Sequence, residues 1–192
     1  MVDDPNPYAV NISPEKNLPD STANRPAGRW LTLIGWLHAL FGAWGLSSSV
    51  VLLIVFPASI TAPGYRSYLV RGMLPYAAFS AAAILGGRAL VLRRPEGWWA
   101  ISVISAYTAL GQLVLGYTWF SSIASGVGPF PAQAAVLATL RGLLGLAVLV
   151  YLTRENVQRA CRVRAAGQIV NFFLVLLGAL ALLLVVAAIN IL

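Results

Sequence analysis

The chain has 192 residues, 59% of them apolar and only 10% charged, with a mean hydropathy of +0.78. Soluble domains carry about 45–50% apolar and about 25% charged residues, so a soluble enzyme, a coiled coil and a disordered chain are excluded. The 13 Lys and Arg against 6 Asp and Glu leave a formal charge of +7. Most of the arginines stand at the ends of apolar blocks, which points to membrane topology and anionic headgroups and not to nucleic acid.

Residues 1–29 are polar and hold Pro5, Pro7, Pro14, Pro19 and Pro26. They read as a flexible cytosolic tail. Asp3 and Asp4 stand where a secretory signal would be basic, and the first apolar run, 30–56, is too long for a signal core. That run is expected to stay in the mature protein as the first membrane span. Three more follow over 69–92, 98–120 and 132–152, and a fifth over 168–191. At 1.5 Å per residue each is long enough for a hydrocarbon core of about 30 Å. Uninterrupted apolar runs choose helices over barrel strands, which are short and alternate. The fold expected is therefore all-α and polytopic: a four-helix bundle over 30–152 and a peripheral helix within 168–192. No outer domain is expected after Leu192.

Charge sets the direction. Arg25 and Arg29 precede the first span, Arg88, Arg93 and Arg94 end the second, and Arg154, Arg159, Arg162 and Arg164 lie between the fourth and fifth. The opposite loops hold only Arg66 and Arg71. This bias places the N-terminus inside and the C-terminus outside. Trp30, Trp98, Trp99 and Tyr151 then fall at the inner boundary, and Tyr65, Tyr68, Trp119 and Phe120 at the outer one, where rings with one wet edge belong.

In lipid, helices associate through small residues and a few polar contacts. Gly35, Gly42 and Ser49, the stripe Ala78, Ala82 and Gly86, and the pair Gly142 and Gly145 are the candidates. Pro75 is expected to kink the second span.

Residues 153–167 read as a basic interfacial helix. Thr153 is its candidate cap. Arg154, Glu155, Gln158, Arg159 and Arg162 share a polar arc, with Val157, Ala160 and Cys161 opposite. Glu155 and Arg159 form an i,i+4 pair. Arg154, Arg159, Arg162 and Arg164 make a candidate patch for anionic lipid or a docking partner.

Chemistry could reside only in the polar side chains at membrane depth. Arg141 lies about 16 Å from the inner end of its span, near the midplane, where an ionised guanidinium is costly and functional by default. His38, about 12 Å into the first span, and Tyr107 and Gln112 in the third lie at comparable depth, with Ser80 near the same layer. His38, Tyr107, Gln112 and Arg141 are thus a candidate polar network, whose shared face depends on helix order. No Asp or Glu lies within a span to pair with Arg141.

One His excludes a haem held by two histidines of one chain, Met73 is poorly placed as a second ligand, and a single His and a distant Cys161 make no zinc site. No cofactor or metal is expected. No GxxxxGK[ST], HExxH or GxSxG motif occurs, and no membrane-depth acid completes a triad with His38 and Ser47–Ser49.

The opening Asn6-Pro7-Tyr8-Ala9 and the span exit Tyr151 to Val157 resemble those of small bacterial membrane proteins. The resemblance implies a bacterial inner membrane. The functional expectation is a non-catalytic accessory or scaffolding subunit, or a small homo-oligomer. The alternative is a small transporter or channel for an anion or proton that uses Arg141 and His38.

Overall fold

A computed structural model describes residues 25–55, 73–126, 132–163 and 167–191. They form six helices: α1 (Arg25–Val55), α2 (Leu74–Val91), α3 (Pro95–Ala124), α4 (Ala132–Leu152), α5 (Glu155–Ala160) and α6 (Gln168–Ile191). No strand occurs among the described residues. All but α5 are long and apolar enough to cross a membrane, as a multi-pass membrane protein requires. The expected limits of α4 and the fifth span agree with the helices.

Elsewhere the limits move. α1 begins at Arg25, inside the segment expected to be tail, and Pro26 falls in its first turn, where a missing N–H costs nothing. α3 runs from Pro95 to Ala124 and absorbs the first part of the expected loop 121–131. Pro75 stands in the first turn of α2, after Met73, whose backbone is also helical, and the turn before it lies outside the described residues. The tail before residue 25, the loop with Arg66 and Arg71, residues 69–72, the remainder of the second loop and Arg164 lie outside the described residues.

Consecutive long helices run antiparallel. α1 packs on α2, α2 on α3, and α3 on both α4 and α6. Gly178 of α6 meets Val103 of α3, while Asn171 lies at the Trp98 end, so α6 runs alongside α3 in the same direction.

Glycine sets the closest approaches. A Cβ at Gly35 would lie 2.7 Å from the Gly87 carbonyl oxygen, and one at Gly87 would press on the carbonyl of Gly35. The backbones of α1 and α2 therefore touch with nothing between them. Gly42 meets the Ser80 carbonyl in the same seam. Between α3 and α4, a Cβ at Gly145 would lie 3.0 Å from the carbonyl oxygen of Ser105. The stripe Ala78, Ala82 and Gly86 is not one contact face. Ala78 and Ala82 are exposed and Gly86 turns to Ala100 and Ile101 of α3. The buried face of α2 is Ser80, Ala83, Gly86, Gly87 and Leu90.

At one end of the molecule a polar knot ties three helices and the α4–α6 connection. The indole N–H of Trp98 donates to the carbonyl of Leu152 (2.7 Å), one of the carbonyls that a helix C-terminus leaves without a partner. The Gln158 amide donates to the Thr153 carbonyl (2.9 Å), and Asn171 of α6 donates to Oε1 of Gln158 (2.9 Å). All of these side chains are buried.

Three expectations are corrected here. Trp98 is fully buried and not an interfacial ring, because a carbonyl satisfies its N–H. Gln158 faces inward, because Asn171 supplies its partner. Thr153 does not cap α5; its hydroxyl donates back to Val150, and the cap position is Arg154. Among the described residues of 153–167, the helical part is six residues.

Cys161 is buried beside this knot. Burial pushes its thiol up to about 11, and the positive charge of Arg93 only partly offsets that. Arg93 and Arg162, just past the ends of α2 and α5, have φ of 54° and 55°, and are the described non-glycine residues in the left-handed region. Arg29, Arg88, Arg93, Arg94, Arg154, Arg159 and Arg162 are all exposed at this end.

Replacing Gly87 with Leu is expected to destabilise the chain by about 1–3 kcal/mol, while Ala82→Leu on the exposed face of the same helix has little effect. Thermal unfolding in detergent, followed by intrinsic fluorescence, checks both. The folded chain holds the Cys161 proton to about 11 against an ordinary 9.0. Maleimide at neutral pH should therefore modify it only after unfolding, and folding stability should decline as pH rises from 9 toward 11.

Candidate functional site

α1, α2, α3 and α4 together line a cavity of about 560 Å³. Each contributes one helical face. α1 gives Ile34, Leu37, His38, Phe41, Gly42 and Trp44; α2 gives Tyr76, Phe79, Ser80 and Ala83. α3 gives Ile104, Ser105, Thr108 and Gln112, and α4 gives Arg141, Leu144, Gly145 and Val148. The spacings of three, four and seven residues are those of single faces.

The cavity has an open side. α1 and α4 share at most slight backbone contact, whereas each is packed closely on its own neighbour. Lining side chains of these two helices are well exposed: Phe41 by 71%, Trp44 by 74% and Leu144 by 65%.

Its polar groups come from all four helices, Tyr76 and Ser80 being those of α2. Nδ1–H of His38 donates to the Ile34 carbonyl one turn earlier (2.9 Å), which leaves Nε2 available to the cavity. Arg141 is exposed, and no described carboxylate reaches it; the salt bridge among the described residues is Glu155 with Arg159. Gln112 and Thr108 are half-buried. Ser105 is 2% exposed, and its hydroxyl has no partner. Helical serines usually bond to their own backbone, as Ser48 and Ser49 do in α1. Ser105 does not, so its hydroxyl keeps both its donor and its acceptor capacity.

His38, Gln112 and Arg141, expected at one depth, thus line one cavity. No described hydrogen bond joins them. Tyr107 is not among the lining residues. Its ring packs at 5.3 Å from that of Phe79, within an apolar cluster around Trp98 and Ile104. Sequence reasoning missed Ser105 and Thr108. The signal was present, because Ser105, Thr108 and Gln112 recur at three and four residues along one face of α3.

The basic patch is separate from the cavity. Arg154 and Arg162 are exposed, the former with its guanidinium 5.9 Å from the ring centre of Tyr151, and Arg159 pairs with Glu155. Among the described residues no three His, Cys, Asp or Glu side chains come together as a metal site would need. No protein-family model, curated protein or solved structure significantly matches the chain.

An unpartnered buried hydroxyl stabilises nothing. Ser105→Ala should leave the thermal midpoint unchanged or slightly raised, whereas Asn171→Ala, which strands Gln158, should cost about 1–3 kcal/mol. Side-by-side unfolding of the two variants in one detergent makes the comparison.

Proposed function

We propose that this chain is a multi-pass membrane protein that works without catalysis, by binding an anion at Arg141 within the membrane and passing it on. The observation that carries this reading is an arginine with no carboxylate partner that lines a cavity together with a buried, unpartnered serine hydroxyl. A guanidinium at membrane depth needs water, a carbonyl or an anion. Its five N–H donors suit a carboxylate or phosphate, and Ser105 and Gln112 add neutral donors.

The surrounding architecture is proposed with it. α1–α4 form a four-helix unit, and α6 leans on α3 at its periphery. The end rich in exposed arginine faces the cytosol of a bacterial cell, with the N-terminus inside and the C-terminus outside. Support comes from the seven exposed arginines at that end, with no charged residue among the described ones at the other. Arg154, Arg159 and Arg162 then lie at the headgroups, where each basic side chain contributes about 1 kcal/mol toward an anionic surface.

A second reading has its own observation. Ala78 and Ala82 present small residues on an exposed face of α2, as a helix that meets a partner subunit or a second copy would. Assembly into a homo-oligomer or an accessory role is compatible with the cavity.

The purified chain should be stabilised against heat by a soluble carboxylate or phosphate in proportion to its occupancy. Arg141→Gln should abolish that shift and Arg141→Lys should retain part of it. An equal shift in wild type and Arg141→Gln would reject the site. For orientation, a cysteine placed at Ser125 should react with a membrane-impermeant maleimide on intact cells, and one placed at Arg94 only after lysis.

A further inference from the structure

The anion proposed above has two routes to Arg141, from water or from the bilayer, and the cavity distinguishes them. We place its open side between α1 and α4, which share little close backbone contact and carry the exposed apolar lining side chains Phe41, Trp44 and Leu144. An inorganic ion arriving from the bilayer side would have to shed its hydration shell beside these apolar side chains, which is costly. An acyl chain would replace lipid contacts with side-chain contacts at little cost. Beside these side chains lie the groups that an acidic head requires: the Arg141 guanidinium, itself exposed, and, deeper, the unpartnered hydroxyl of Ser105, which is 2% exposed, and the half-buried Gln112 amide. An apolar mouth with a few convergent polar groups is the composition of a small-molecule site, and about 560 Å³ lies within the usual range of about 300–1,000 Å³. That volume suits one chain better than two.

We infer that the cavity takes a single-chain amphiphile with a carboxylate head, which enters sideways from the bilayer between α1 and α4 and sets its head on Arg141, Ser105 and Gln112. The inference rests on the reading of Arg141 as an anion site and adds the class of ligand and its path. The tail lies along Phe41, Trp44 and Leu144.

The test uses the full chain in neutral detergent and a long-chain fatty acid with a photoreactive diazirine in its tail. Irradiation should attach the probe to peptides that contain Phe41 and Trp44 of α1 and Leu144 of α4. Unlabelled fatty acid of equal length should reduce this attachment at least tenfold. The fatty alcohol of the same length, and acetate at the same concentration, should not. Arg141→Gln should lose the attachment and Arg141→Lys should recover it in part, while circular dichroism reports that both variants are folded.

Attachment spread evenly over all lipid-facing helices, or competition by acetate as strong as by the long acid, would overturn sideways entry of an amphiphile and leave the anion site standing. Competition by the alcohol as strong as by the acid would overturn the role of Arg141 in both readings.

Discussion

Helices that lie in hydrocarbon gain nothing by hiding apolar side chains from one another, so the places where two backbones can touch decide which helices become neighbours. In this chain those places are glycines. Gly35 and Gly87 lock α1 to α2, and Gly145 seats α4 against the carbonyl of Ser105 in α3. Each lock is short-range and belongs to one pair. α2 and α3 are held by their short connection and by Gly86 and Gly97. No described glycine contact joins α1 to α4. The cavity lies among four helices of which three neighbouring pairs are closed by small residues.

The polar knot performs the complementary task at one end. Trp98, Leu152, Thr153, Gln158 and Asn171 satisfy one another in a buried chain of hydrogen bonds. Buried polar groups are most useful when each has its partner, because then they fix a single arrangement. Here they hold the end of α4, the short α5 and the start of α6 against α3, while the middle of the molecule is left to van der Waals contact. The cavity polar groups differ in kind. Arg141 and Ser105 have no described partner; Ser102, outside the cavity, also lacks one, so it is the guanidinium beside Ser105 that makes the cavity the candidate site and the knot a structural element.

The number and approximate length of the long helices were legible in the sequence, because apolar blocks of membrane-spanning length admit few other structures. Which face of each helix is buried was much less so. In a soluble helix the polar side marks the outside, but here the outside is as apolar as the inside. The stripe of Ala78 and Ala82 consequently looked as suited to contact as Ser80 and Gly87. Polar residues that stood out against the apolar background, namely His38, Gln112 and Arg141, could be found at one depth. Tyr107 could not be separated from them, since a tyrosine packs as an aromatic ring as readily as it donates. Trp98 and Gln158 were misplaced because their partners, a helix-end carbonyl and Asn171, are defined only once the chain has folded.

The two arginines with positive φ carry a further implication. Arg93 and Arg162 each sit where a helix stops, in a backbone conformation that glycine adopts freely and that costs other residues about 1–2 kcal/mol. A cation next to a helix C-terminus is favoured by the exposed carbonyls, which repays part of that cost. The residue that ends the helix and the residue that carries the charge are thus one and the same. Drift toward glycine at either position would relax the backbone and at once remove a cation from the carbonyls of that helix end, so backbone comfort and end-charge pull this sequence in opposite directions.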